Sequence, residues 1–125
     1  MSRTIDIPKA LRSFKYAAMG IVSLFANENN AKIHLFAAAV VVTLGFYTHI
    51  SSQEWIMIIL VIGLVWMAEA FNTSLEKLAD VVSPQYHPAI KQVKDLAAAG
   101  VLIMAAAAVI TGLIIFVPKF MELFP

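Results

Sequence analysis

The sequence has 125 residues and a net charge of +1, with 61% hydrophobic and only 14% charged residues. Soluble domains are roughly 45–50% apolar and about 25% charged, so this composition excludes an ordinary soluble domain, a disordered chain and a nucleic-acid-binding domain. The lack of cysteine excludes a disulfide framework, a cysteine-ligated zinc site and a thiol nucleophile.

The first predicted element is an amphipathic helix over residues 8–27. Pro8 suits the first turn of a helix, and apolar residues then recur on one face at helical spacing. Lys9, Arg12 and Tyr16 fall on another face. We expect this helix to lie in the membrane interface with its basic face toward phosphate groups. Plain docking onto a helical bundle is the alternative.

Three membrane-spanning helices are predicted, over residues 31–50, 54–80 and 94–117 of a single membrane domain. No Asp, Glu, Lys or Arg occurs between Ile33 and Gln53 or between Leu96 and Pro118, and each run reaches the ~20 residues that a span requires. The middle segment is interrupted by Glu69, but its helical pattern continues to Asp80. We therefore predict acidic residues inside this span, while a short span ending at Glu69 is the alternative.

The orientation follows from the distribution of Lys and Arg. Most of them flank the first span or lie between the second and third spans: Arg3, Lys9, Arg12, Lys15, Lys32, Lys77, Lys91 and Lys94. The first loop has none, and only Lys119 follows the third span. By the positive-inside rule, the N-terminus and the second loop are cytoplasmic.

The polar residues of the second span share one helix face. At 100° per residue, Asn72, Thr73, Glu76 and Asp80 fall within about 60° of Glu69. Ionisable residues inside a span are costly and mark functional sites. A structural polar network between subunits is the alternative.

Two other segments bring charged residues to the same cytoplasmic boundary: Glu28 stands just before the first span, and Lys94-Asp95 begins the third. Magnesium is often bound by one or two carboxylates plus substrate phosphates, so Glu28 and Glu76 are the candidate ligands and Lys94 would balance phosphate charge. Glu69, deeper in the membrane beside a lipid headgroup, suits a general base. For Asp80 two roles stay open, a contact with the site or stabilisation of Lys94 alone. We assign His34 to interfacial packing or lipid contact.

The sequence contains neither a P-loop nor a protein-kinase glycine loop, so a phosphate site here would have a different design. Two other classes of protein remain open. One is a non-enzymatic membrane scaffold, which would not need these acidic residues together. The other is a small proton-coupled transporter in which Glu69 carries the proton.

The ordered blocks resemble the family of small prokaryotic diacylglycerol kinases and undecaprenol kinases. The stretch from Glu69 to Asp80 resembles its signature E-x-x-N-(S/T)-(A/S)-(I/L)-E-x-x-x-D. The segments Glu28–His34, Arg12–Ala17 and Lys94–Leu102 resemble its other blocks, and together they cover roughly residues 9–117.

The resemblance implies an ATP- and Mg2+-dependent lipid kinase of the bacterial cytoplasmic membrane, homotrimeric, all-α, with a surface helix and three spans per subunit. It implies that Glu69 is the general base, that Asn72 orients the reacting groups, and that Glu28 and Glu76 bind the metal with the ATP phosphates. Further residues would contact the nucleotide: Arg12, Tyr16, Tyr86, His87, Lys94 and Asp95. The pattern at Asn30 and Ile33-His34 favours undecaprenol over diacylglycerol as the lipid substrate.

Overall fold

The computed structural model describes residues 6–123, and these form four α-helices without a strand. The helices are α1 (Ile7–Asn27), α2 (Asn29–Tyr47), α3 (Ser52–Val82) and α4 (Pro88–Leu123). The last three are long and apolar enough to cross a membrane. The predicted all-α fold, with one surface helix and three spans, is therefore confirmed. Arg3, one of the basic residues used to predict the orientation, lies outside the described residues.

The ends of the helices follow from local hydrogen bonds. The Asp6 side chain accepts from the backbone N–H of Lys9 at 3.0 Å at the start of α1. Ser51 and Glu54 form a reciprocal capping box at the start of α3. Glu28 is the single extended residue between α1 and α2, so its side chain is placed at the junction of the two helices.

Helix α3 continues without a break through Glu69 to Val82. Its 31 residues correspond to about 46 Å at 1.5 Å per residue, more than the ~30 Å hydrocarbon core of a bilayer. The helix therefore continues past Glu69, and the point along it at which the membrane span ends stays a prediction. Helix α4 begins at Pro88, in a position where proline is tolerated, and contains Pro118 near its end.

The packed core lies at the α2–α3 turn. Ile50 from the turn, Ile58 from α3 and Ile115 from α4 are buried there. The Trp55 ring lies over Gly45, so that a Cβ atom added to this glycine would be 2.8 Å from the ring. Trp55 thereby packs the α2–α3 hairpin together.

Helix α1 packs on the bundle only through its C-terminal part. Leu24 is buried, and the Phe25 ring meets the Trp66 ring edge-to-face with centroids 5.2 Å apart. Further toward the N-terminus, apolar side chains such as Leu11 and Phe14 are exposed. An apolar face is thus left free on the surface helix, as an interfacial helix requires.

Candidate active site

The polar stripe of α3 enters the interior of the chain. Glu69 is 1% exposed, and Asn72 and Thr73 are also buried. Glu76 is half-buried and Asp80 is exposed. A carboxylate this deeply buried in a membrane protein is costly, so Glu69 is the first residue for which a chemical role must be sought.

Glu69 faces the first span. Its Oε1 atom lies 3.2 Å from Nε2 of His34 on α2, although the two groups are not aligned for a hydrogen bond and Oε1 accepts none from residues 6–123. The carboxylates of Glu28 and Glu76 are close enough to act on Glu69 electrostatically. Negative charge from two other parts of the polar region thus acts on Glu69.

Asn72, one turn beyond Glu69, is bonded to the following turn of the stripe. Its Nδ2 donates to Oε1 of Glu76 at 3.2 Å. Its Oδ1 is buried and has no hydrogen-bond partner within the described part of the chain. A buried carbonyl oxygen without a donor is unfavourable, so this atom is available to a bound group.

Glu28 reaches the stripe from the junction of α1 and α2. Its Oε1 lies 3.7 Å from Nζ of Lys77, which borders the acidic face of α3. This ion pair places the Glu28 carboxylate against α3, beside the residue that follows Glu76.

The residues fit a magnesium ion that is shared with a substrate. Within residues 6–123, no group of three or more acidic, histidine or cysteine side chains could hold a metal ion. Magnesium, however, is usually bound by one or two carboxylates with substrate phosphates and water. The carboxylates of Glu28 and Glu76 and the unpartnered Oδ1 of Asn72 supply the hard oxygen atoms that this arrangement needs.

A second group of site residues surrounds a hollow of about 230 Å³ at the α3–α4 linker, lined by Tyr86, His87, Lys94 and Asp80 among others. Lys94 forms an ion pair with Asp80. Because Asp80 follows Glu76 by one turn of α3, the hollow begins about 6 Å along the helix from the carboxylate stripe. The two groups could therefore contact different parts of one extended ligand.

Two predicted site residues make no contact with these groups. Arg12 and Tyr16 are exposed on α1, and neither makes a side-chain hydrogen bond or ion pair with another described residue. Asp95, in contrast, is paired with Lys91, which lines the linker hollow. A ligand that used Arg12 and Tyr16 would have to reach beyond this hollow or recruit them from another copy.

Sequence reasoning missed the contact of His34 with Glu69. The histidine was assigned to packing or lipid contact, yet its imidazole lies beside the most deeply buried carboxylate. The short turn at residues 48–51 could have indicated it, because an antiparallel hairpin closed there brings positions 34 and 69 within about one helical turn of each other.

Residues 15–116 match the family described as "Prokaryotic diacylglycerol kinase". A protein named undecaprenol kinase from Bacillus subtilis is 36% identical over 91% of this chain and 93% of its own length. A diacylglycerol kinase from Synechocystis is 37% identical over 93% of this chain and 67% of its own. The diacylglycerol kinase of Escherichia coli is 24% identical over 91% of this chain and 93% of its own.

Proposed function

Because the chain belongs to the prokaryotic diacylglycerol kinase family and is therefore a lipid kinase, we propose that it transfers the γ-phosphoryl group of ATP to undecaprenol in the bacterial cytoplasmic membrane. Because the family consists of lipid kinases, we set aside the hypotheses of a scaffold and of a transporter. The finer assignments below concern the lipid, the metal, the nucleotide contacts and the assembly.

The buried carboxylate of Glu69 carries the proposal. It is almost fully shielded from bulk water in a helix long enough to cross the bilayer, and the lipid hydroxyl would approach it from within the membrane. Glu69 accepts the proton of this hydroxyl while the lipid oxygen forms a bond to the γ-phosphorus. The bond from that phosphorus to the β,γ-bridging oxygen breaks, and its electron pair leaves with ADP.

The neighbouring groups position the phosphates. Glu28 and Glu76 would hold Mg2+, which when bound neutralises charge on the phosphate oxygens. Asn72 keeps Glu76 in place through its Nδ2 and offers its free Oδ1 to the same site. Lys94 balances phosphate charge from the linker hollow. This arrangement suits phosphoryl transfer, which depends mainly on positioning and charge stabilisation.

The remaining nucleotide contacts extend from the same side. Tyr86 and His87 line the hollow beside Lys94, where the base and sugar of ATP would lie. Asp95, Arg12 and Tyr16 contribute from exposed positions. The basic residues around this region support a cytoplasmic N-terminus and active site by the positive-inside rule.

Two observations favour undecaprenol as the lipid. The Bacillus undecaprenol kinase matches this chain along nearly its whole length. In addition, the pattern at Asn30 and Ile33-His34 resembles the undecaprenol kinase branch. An apolar cavity of about 360 Å³ between α2, α3 and α4, bordered by His34, would suit part of a long lipid chain of either kind. The alternative lipid is diacylglycerol, which would yield phosphatidic acid and is favoured by the Synechocystis relative.

We also propose a homotrimer. Within one chain, only 17%, 28% and 11% of the most apolar windows of α2, α3 and α4 are buried. The remaining surface is available to lipid and to other copies, and the resemblance noted for the sequence implies three. Mass determination of the purified protein in detergent, with the detergent mass subtracted, distinguishes a trimer from a dimer or monomer.

The decisive experiment is transfer of radiolabelled γ-phosphate in mixed micelles that contain Mg2+, ATP and either undecaprenol or diacylglycerol. Label in undecaprenol, lost in Glu69→Gln but retained in the matched variant Glu122→Gln, is the expected result. Glu122 is exposed near the end of α4 and tests for a nonspecific effect of removing a carboxylate. Label in diacylglycerol alone would overturn the assigned lipid, and no label in any lipid alcohol from folded protein would overturn the kinase mechanism.

A further inference from the structure

We propose that His34 is a positioning residue for Glu69: its imidazole donates from Nε2 to one oxygen of the carboxylate and leaves the other oxygen to accept the proton of the lipid hydroxyl. This inference rests on the proposed function, because it assigns a role inside the same site.

The geometry of the two side chains supports this role. Nε2 of His34 lies 3.2 Å from Oε1 of Glu69, and His34 is the one described residue that forms an ion pair or hydrogen-bond-length contact with this side chain. The histidine side chain is 22% exposed and that of Glu69 only 2%. His34 therefore lies between the buried carboxylate and the outside of the bundle.

The contact is close but is not aligned as a hydrogen bond: Nε2 of His34 and Oε1 of Glu69 are within reach, but the bond is not formed. Catalytic hydrogen bonds often tighten only when substrate binds. Binding of the lipid would bring the imidazole into line and select one orientation of the carboxylate.

The surroundings of His34 give the second line of support. The residue borders the apolar cavity between the three spans, beside Ala37, Ala38 and Trp66. An imidazole at an apolar surface has few polar partners to choose from, so Glu69 is the group it can orient. A lipid chain in this cavity would also exclude water from the contact and strengthen it.

A positioning residue acts on the rate rather than on nucleotide binding. Displacement of a catalytic group by about 1 Å can cost 10²-fold. We therefore expect His34→Leu, which removes the donor but keeps an apolar side chain, to lower kcat by about 10- to 100-fold. The KM for ATP and the unfolding temperature should stay near those of the unchanged protein.

Two further variants separate positioning from packing. His34→Gln retains an N–H donor and should recover much of the lost kcat. His49→Asn changes the exposed histidine of the α2–α3 turn, about 22 Å along α2 from His34, and should have no effect. Asparagine suits this control because His49 has a positive φ of 50°, which asparagine tolerates.

Three outcomes would overturn the role. The first is a normal kcat in His34→Leu. The second is a kcat that is equally low in His34→Leu and His34→Gln while the unfolding temperature is unchanged. The third is a loss of rate that only accompanies a lower unfolding temperature. If the unchanged protein phosphorylates no lipid, the proposed function fails and this inference fails with it.

A measurement without turnover tests the contact itself. In protein labelled with 15N-histidine, Glu69→Gln should shift the imidazole nitrogen resonances of His34 and leave those of His49 in place. Unchanged resonances of His34 would show that the two side chains do not interact and would overturn the inference whatever the lipid substrate is.

Discussion

The substitution Glu69→Gln tests the proposed chemistry most directly, because it removes one proton-accepting group and preserves the size of the side chain. General acid–base catalysis contributes about 10²- to 10⁴-fold to a rate. Since Glu69 is 1% exposed, bulk water cannot take its place, and we expect a loss in the upper part of this range. A loss of about 10³- to 10⁴-fold corresponds to roughly 4–5.5 kcal/mol of transition-state stabilisation.

The same substitution should leave the fold and the nucleotide site intact. A glutamine oxygen would lie within the same reach of Nε2 of His34, and the neutral amide avoids the cost of a buried charge. The hydrogen bond between Asn72 and Glu76 does not involve the altered group. We therefore expect an unfolding temperature and a KM for ATP close to those of the unchanged protein.

The assay is initial-rate transfer of labelled phosphate to undecaprenol at saturating Mg2+ and ATP, with thermal unfolding of the same samples. The exposed Glu122→Gln variant serves as control. Retention of more than a tenth of kcat by folded Glu69→Gln would refute Glu69 as the general base. A higher KM for ATP with unchanged kcat would instead place this residue in nucleotide binding.

Other parts of the molecule give further expectations. Glu76→Gln should raise the concentrations of Mg2+ and ATP needed for half-maximal rate together, since its carboxylate would hold the metal; a Mg2+ titration that matches the unchanged protein would contradict this. Lys94→Gln should raise the KM for ATP more than it lowers kcat, and an unchanged KM would remove Lys94 from the nucleotide site. Gly45→Ala should destabilise the fold by about 1–3 kcal/mol through overpacking, because its Cβ would be 2.8 Å from the Trp55 ring. Gly63→Ala, which meets nothing within 4 Å, is the matched control in thermal unfolding, and equal unfolding temperatures would contradict the packing argument.

The spans could be predicted because a bilayer leaves the backbone few choices. A charge-free run of about 20 residues must satisfy its own hydrogen bonds, and the helix does so. The same helical period placed Asn72 and Thr73 beside Glu69, and both are buried. From the sequence, stabilisation of Lys94 was also one of two roles for Asp80, and the structure contains this ion pair.

Contacts between helices could not be predicted in the same way. Periodicity gives the face of each helix but not its depth or rotation against a neighbour. The contact of His34 with Glu69 depends on the register set by the α2–α3 turn, and the pair of Glu28 with Lys77 depends on how the α1–α2 junction meets α3. The packing of Trp55 on Gly45 is likewise visible only in three dimensions.

The unbroken length of α3 makes the site sensitive to its membrane. Glu69 lies about 25 Å along the helix from Ser52, near the far edge of a hydrocarbon layer that is about 30 Å thick. A thinner bilayer would bring this carboxylate into the headgroup region, and a thicker one would submerge it further, unless the helix tilts. Phosphorylation rates in vesicles of graded acyl-chain length should consequently pass through a maximum.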